Sequence, residues 1–168
     1  LHIQCNTDNH EIQQSIKLWG STPIQRLFNA GLLNPESQLN HVTHFEAEDL
    51  ALIQQSNCNL VISSQTDLAN PAIMQSIKTL METENNMSLA TSSTDNDSYN
   101  LWLELKAITQ LAAFNSPDKT ENSIAHQALR MATINGAKTL GLEAEIGSLE
   151  PQKYADIIAI EINSLSHQ

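Results

Sequence analysis

Four short apolar runs limit what this chain can fold into: Leu1–Cys5 (LHIQC), Leu39–Phe45 (LNHVTHF), Asn59–Ser63 (NLVIS) and Met87–Thr91 (MSLAT). Each has the length and residue types of a strand, the second running out into a loop. Helical periodicity fills the spaces between them. His10–Trp19 carries Ile12, Ile16 and Trp19 on one face and closes at Gly20. Pro23 opens a short helix over Ile24–Asn29. Glu46–Asn57 carries Leu50, Leu52 and Ile53; Pro71–Met81 turns Ile73, Ile77, Leu80 and Met81 inward. Strands that alternate with helices predict parallel pairing through crossover helices. Four such units fit half of a (β/α)8 barrel, which takes ~250 residues when complete. An open doubly wound sheet fits the same pattern.

The second part of the chain is more helical. Ser92–Tyr99 is a polar loop, and Leu101–Phe114 is a helix with Trp102, Leu105, Ile108 and Ala112 on one side. Ser123 caps one long helix that runs to Leu140 and ends at Gly141, with Ile124, Ala128, Met131 and Ala132 buried. Asp156–Ile162 reads as a final strand. The chain starts at Leu1 inside a strand-like run, so a segment upstream of it is expected.

Composition excludes several function classes. Eight basic residues against nineteen acidic give a net charge of -11. Nucleic-acid backbones and anionic membranes both require clustered Lys or Arg, so neither is an expected partner. No apolar run reaches the ~20 residues needed to span a bilayer. Cys5 and Cys58 have neither metal-site nor redox spacing and read as free thiols of a reducing compartment, the cytoplasm.

In parallel α/β folds, chemistry gathers where strands end. Gln4 and Asn6 follow the first strand; as amides they can hydrogen-bond a ligand but make poor metal ligands or bases. His41 and His44 follow the second, where two imidazoles could meet, one to hold a metal and one to carry a proton; a structural or surface role is the competing reading. Ser63–Asp67 has no nucleophile signature and reads as a turn. Asp95 and Asp97 lie beyond the fourth strand, as turn formers or cation contacts. There is no HExxH, GxSxG or P-loop. His2, His10, His126 and His167 read as structural or solvent-facing.

MATINGAKTLGL followed by IGSLEPQKYADIIAI strongly resembles the C-terminal signature of the metal-dependent amidohydrolase superfamily. The branch it looks most like holds the methylthioadenosine/S-adenosylhomocysteine deaminases and the triazine-hydrolase-like enzymes. The pattern there is ATxNGAxALGL, then GSLExGKxADLVxxD. Upstream, LHIQCNTDNHEI resembles IHxHxxET, GSTPIQRLFNAGLL resembles GxRPLxxLxxLGLL, and NHVTHFEAEDLALI resembles xHxxxxxxxDLxLL. LVISSQ stands where VxHxPxSN is expected, and MSLATSSTDND where VALGTDGxxSNN is expected.

The resemblance implies the second half of a TIM-like barrel over residues 1–155, with residues 156–168 starting the return to a small β-sandwich. It implies a divalent metal, zinc or iron, and hydrolysis of C–N bonds in a small molecule, a purine nucleoside or related heterocycle. It also marks departures. The family's HxH strand has no counterpart in this sequence. The substrate-contacting His and Glu of the first matched strand are Gln4 and Thr7. A metal-ligand His is retained as His41, with His44 at the polar, proton-transferring position. The His and Pro of HxP are Ser63 and Gln65, and the metal-binding Asp is Ser92, flanked by Ala90 and Ser93. A late Gly is Gln152. Ser92 cannot replace a carboxylate, and a catalytic site of this kind takes three or more protein ligands. The expectation is therefore an amidohydrolase homologue with impaired catalysis. Two rivals stand beside it. One is a non-catalytic interaction or regulatory pseudo-subunit that pairs with an active homologue; the expected partner is a further copy of the chain or a missing barrel half. The other is an active hydrolase with a relocated metal site at His41, His44, Asp95 and Asp97.

Overall fold

The computed structural model describes residues 1–63, 71–91, 99–115 and 121–160. Among these residues the chain forms four strands and seven helices. The strands are β1 (His2–Gln4), β2 (Gln38–Asn40), β3 (Asn59–Ile62) and β4 (Met87–Leu89). All pair in parallel, in the order β1-β2-β3-β4. A doubly wound sheet reverses its strand order at a switch point. This one adds each strand to the same side, as a (β/α)8 barrel does, and so removes the ambiguity in the sequence pattern.

The helices are α1 (Asn9–Trp19), α2 (Pro23–Asn29), α3 (Ala47–Ser56), α4 (Pro71–Met81), α5 (Leu101–Asn115), α6 (Glu121–Ala132) and α7 (Ile134–Leu140). Strand side chains alternate between the two faces of the sheet. Leu39, Leu60, Ile62, Met87 and Leu89 point to one face and join Ile53, Ile73, Ile77, Leu80, Ile108 and Met131 in the core. The other face carries the register-matched rows His2–Gln38–Asn59 and Gln4–Asn40–Val61–Ser88. That face is polar for a barrel interior.

Helix α7 covers part of the polar face at its N-terminal end. Gln38 Nε2 donates to Thr139 O (2.8 Å), and Asn135 Nδ2 donates to Met87 O (3.0 Å). Asn86 Nδ2 donates to Asn59 Oδ1 (2.8 Å), and the Thr139 hydroxyl meets Ser88 Oγ (2.9 Å). These bonds satisfy polar groups that the sheet would otherwise bury unpaired.

Four expectations change. The long helix predicted over Ser123–Leu140 is two helices, broken at Thr133 (φ -126°, ψ -100°). Thr133 turns its hydroxyl back onto Leu129 O (2.7 Å), a local bond that competes with helix continuation. On α1, Ser15 is buried while Ile16 and Trp19 are 41% and 58% exposed. Trp19 instead lies under the Arg26 guanidinium, 3.7 Å from its ring centre. On α5 the buried stripe is Glu104, Ile108, Leu111 and Ala112, which turns Trp102 outward. Finally, residues 154–160 form no strand and are exposed, including Tyr154, Ile157 and Ile158 beside a cavity, and residues 161–162 of the expected strand lie outside the described residues. A strand needs a neighbour to take its backbone hydrogen bonds, and none stands beside this segment among the described residues. None of the described helices is long and apolar enough to cross a membrane.

Candidate functional site

Asn6 and His41, at the ends of β1 and β2, both adopt left-handed backbone (φ 55° and 54°). This conformation is uncommon in residues with a Cβ, though Asn and His are among those that tolerate it best. It turns both chains sharply as they leave the sheet and brings the two loops together. Asn6 O accepts from Thr43 N (3.2 Å) and His44 N (3.0 Å). Asn6 Nδ2 donates to His44 O (2.9 Å) and to Asp49 Oδ2 (3.2 Å). Asp49 Oδ1 takes the Thr22 hydroxyl at 2.5 Å. Thr22 is also the N-cap of α2, in a capping box with Gln25. Asn6, Asp49 and Thr22 are all buried, so one polar cluster ties β1, α2, the β2 loop and α3 together. Asn6 Oδ1 is the exception, buried with no hydrogen-bond partner among the described residues.

A second set of bonds fixes Thr43 and His44. The Thr43 hydroxyl lies 2.7 Å from Thr7 O and 2.8 Å from His44 Nδ1. Ser76 Oγ, from α4, donates to Thr43 O at 2.5 Å. Thr7 donates its N–H and hydroxyl to Glu11 Oε2 (2.8 and 3.2 Å). With Glu11 N on the Asp8 carboxylate (2.7 Å), this caps α1.

The predicted site residues among those described are not assembled into a metal centre. Gln4 is exposed on the polar face. His41 is half-buried and borders a small gap between the sheet and α4, lined otherwise by residues such as Leu39, Leu60 and Ile77. His44 is half-buried against Thr43, and Ser63 is buried at the end of β3. Ser92, Ser93, Asp95, Asp97 and Gln65 lie outside the described residues. No group of three His, Cys, Asp or Glu side chains able to hold a metal occurs among the described residues. The donors present there do not fit a divalent ion.

A cavity of 670 Å³ lies on the polar face beside α7 and the segment after it. His2, Gln38, Val61, Ser88 and Ala90 border it on the sheet, with Ile157 and Ile158 opposite. Gln4, His41, His44 and Ser63 do not line it. It is a space between layers of the fold, and the strand-end cluster is the better candidate for chemistry.

Both cysteines are buried and free. Burial, helped by the nearby Glu11 charge, pushes the Cys5 thiol up to about 12. Burial also raises Cys58, against an opposing hydrogen bond from Ser56. Neither is a nucleophile at neutral pH.

Sequence reasoning passed over Asn6 as a joint, and over Thr43, Thr22 and Asp49 altogether. Asp49 had a signal, because it is the Asp of the DLxLL pattern that places His41 in register. An Asp one residue before an apolar stripe reads as a helix-start residue, which hides its buried role.

Residues 1–167 match the amidohydrolase family. The 5-methylthioadenosine/S-adenosylhomocysteine deaminase of Teredinibacter turnerae is 37% identical over 169 residues, covering 100% of this chain and 38% of that protein. The enzyme of the same name from Moorella thermoacetica is 31% identical over 165 residues, covering 96% of this chain and 38% of that protein. Thus the chain spans 38% of the length of these curated relatives. An adenosine deaminase from Xanthomonas campestris, solved with bound zinc, superposes with a TM-score of 0.78 at 26% identity, covering 92% of this chain and 35% of that one. Atrazine chlorohydrolase TrzN from Arthrobacter aurescens, complexed with zinc, shares the fold at a TM-score of 0.76 and 23% identity, covering 92% and 34%. A match along nearly the whole sequence, over a sheet wound in the sequential parallel order of a barrel, makes this chain a member of the amidohydrolase family.

Proposed function

We propose that this chain retains the scaffold of a deaminase-type amidohydrolase but is impaired in the metal-dependent step. The parent chemistry is hydrolytic removal of an amino group from a purine nucleoside or related heterocycle, in the cytoplasm. The reading rests on one observation: the strand ends carry Gln4, His41 and Ser63, with no metal-competent cluster among the described residues. Ser92, at the position of the family's metal-binding Asp, supports it from the sequence. On this reading His41 is a remnant ligand, His44 the remaining proton carrier, and Gln4 a substrate-side hydrogen-bonding group. Loss of a single oriented ligand or supporting group typically costs 10–100-fold in metal affinity or activity. The test is ammonia release from 5-methylthioadenosine and adenosine with zinc or iron(II) added to the purified chain. No release above the uncatalysed background is expected. Metal-dependent turnover at an ordinary enzymatic rate, ~1–10³ s⁻¹, overturns the proposal. Stoichiometric metal that disappears in His41→Ala would point instead to the relocated site.

A second reading is favoured by the exposed apolar side chains Leu149, Ile157 and Ile158, which border the large cavity on the polar face. A surface of this kind fits a module that pairs with another copy or with a separate barrel half. A well-behaved monomer in light scattering would remove the self-pairing form.

A further inference from the structure

We propose that Thr43 is a positioning residue that holds the His44 imidazole in its Nδ1–H tautomer, leaving Nε2 as the nitrogen that accepts a proton or a donor group of a ligand. This rests on the reading of His44 as the proton carrier.

The inference follows from counting protons. The Thr43 hydroxyl has one, and three acceptors or possible acceptors surround its oxygen. Two are backbone carbonyls, Thr7 O at 2.7 Å and Asn6 O at 3.4 Å, and a carbonyl can only accept. The third is His44 Nδ1 at 2.8 Å. If the hydroxyl proton went to Nδ1, two oxygens would face each other at 2.7 Å with no hydrogen between them. The proton therefore goes to Thr7 O. The hydroxyl then offers a lone pair to His44, and that contact is bonding only when Nδ1 carries hydrogen. A neutral imidazole carries one N–H, so Nε2 is bare.

The surroundings keep both groups in place. His44 donates its backbone N–H to Asn6 O (3.0 Å) and accepts from Asn6 Nδ2 through its own carbonyl (2.9 Å). Thr43 is held by Ser76 through its carbonyl (2.5 Å) and by Asn6 O through its N–H (3.2 Å). These bonds fix the backbone from which both side chains extend, and so set the distance between the hydroxyl and the ring. A histidine side chain in water prefers the opposite, Nε2–H form, so the preference at His44 is imposed by the protein.

The test is a long-range ¹H–¹⁵N correlation spectrum of the ¹⁵N-labelled chain at about pH 8.5, where ordinary imidazoles are neutral. His44 is assigned by the loss of its signals in His44→Gln. The expected result is a protonated Nδ1 and a bare Nε2, favoured about tenfold, the worth of one hydrogen bond. Thr43→Val should shift His44 toward the Nε2–H form, and Thr43→Ser should restore the wild-type pattern. A wild-type His44 in the Nε2–H form overturns the inference, as does a folded Thr43→Val chain with an unchanged tautomer. The wild-type spectrum decides the tautomer even if Thr43→Val does not fold. None of these readouts needs turnover. An inactive chain with Nδ1–H supports the inference, and an active chain with Nε2–H defeats it while leaving His44 a role in proton transfer.

Discussion

Replacing Asp49 with alanine would leave the Thr22 hydroxyl and one N–H of the Asn6 amide as buried donors without their acceptor. Each stranded group costs about 1–3 kcal/mol. Asp49→Ala should therefore lower the unfolding free energy by ~2–4 kcal/mol in urea titration followed by Trp fluorescence. A loss below ~0.5 kcal/mol would mean that the cluster is not a structural joint. Cys5 gives a second prediction, in pH. Its thiol titrates near 9.0 when unfolded and at about 12 when folded, so the folded state holds the proton more tightly. The associated stability is complete below pH 9.0 and is lost as pH rises toward about 12. Cys5→Ala should flatten this alkaline decline relative to wild type in parallel melts. The residues of the joint were hard to find in the sequence because their roles are set by partners far along the chain. Asn6 meets Asp49, and Thr22 meets it from another element. By contrast, motif register alone puts Gln4, His41 and Ser63 at strand ends, and the structure has each there or one residue beyond.

At the scale of elements, two glycines separate backbone strain from steric fit. Gly20 closes α1 with φ +74° and has nothing within 4 Å of an added Cβ. Gly147 has φ +90°, and its added Cβ would sit 2.7 Å from Ala137 Cβ and 3.0 Å from Ile134 Cα. Gly20→Ala should cost ~1–2 kcal/mol, for the left-handed backbone alone. Gly147→Ala adds an overpacking term of ~1–3 kcal/mol, because its neighbours belong to α7. Thermal melts of both variants check the order, and equal losses would mean that the turn does not press on the helix. The four strands and the helices between them were legible, because strand-length apolar runs and helical periods alternate without conflict; the final strand and the split of the last long helix were not. Facing held on α4 and α6 and differed in part on α1 and α5. The positions of Ile16, Trp19 and Trp102 suit a buried stripe, but the face that packs is set by Ser15 on one helix and by Glu104, Ile108 and Leu111 on the other. The break at Thr133 was hidden for a similar reason. A single β-branched residue inside a good helical pattern does not mark an end until its hydroxyl turns inward.

For the whole molecule, β1 and β4 are the edges of the sheet among the described residues, and the segment past Tyr154 carries Ile157 and Ile158 at 63% and 74% exposure. These side chains border the cavity on the polar face. Ile157→Lys with Ile158→Lys should reduce dye binding to exposed apolar surface and, if copies associate there, reduce the mass seen in light scattering. Unchanged dye binding would locate the sticky surface elsewhere. Helix α7 carries a different consequence, in time. The bond from Gln38 to Thr139 O joins residues 101 positions apart. A loop of that size is slow to close, since its entropy is lost before the contact forms. The middle strands therefore cannot complete one face until the residues of α7 are available, and during synthesis those emerge late. For that interval Gln38, Asn59 and Ser88 face water rather than α7. A stopped-flow refolding phase slowed by Thr139→Val would mark this as the step that commits the chain to its native state.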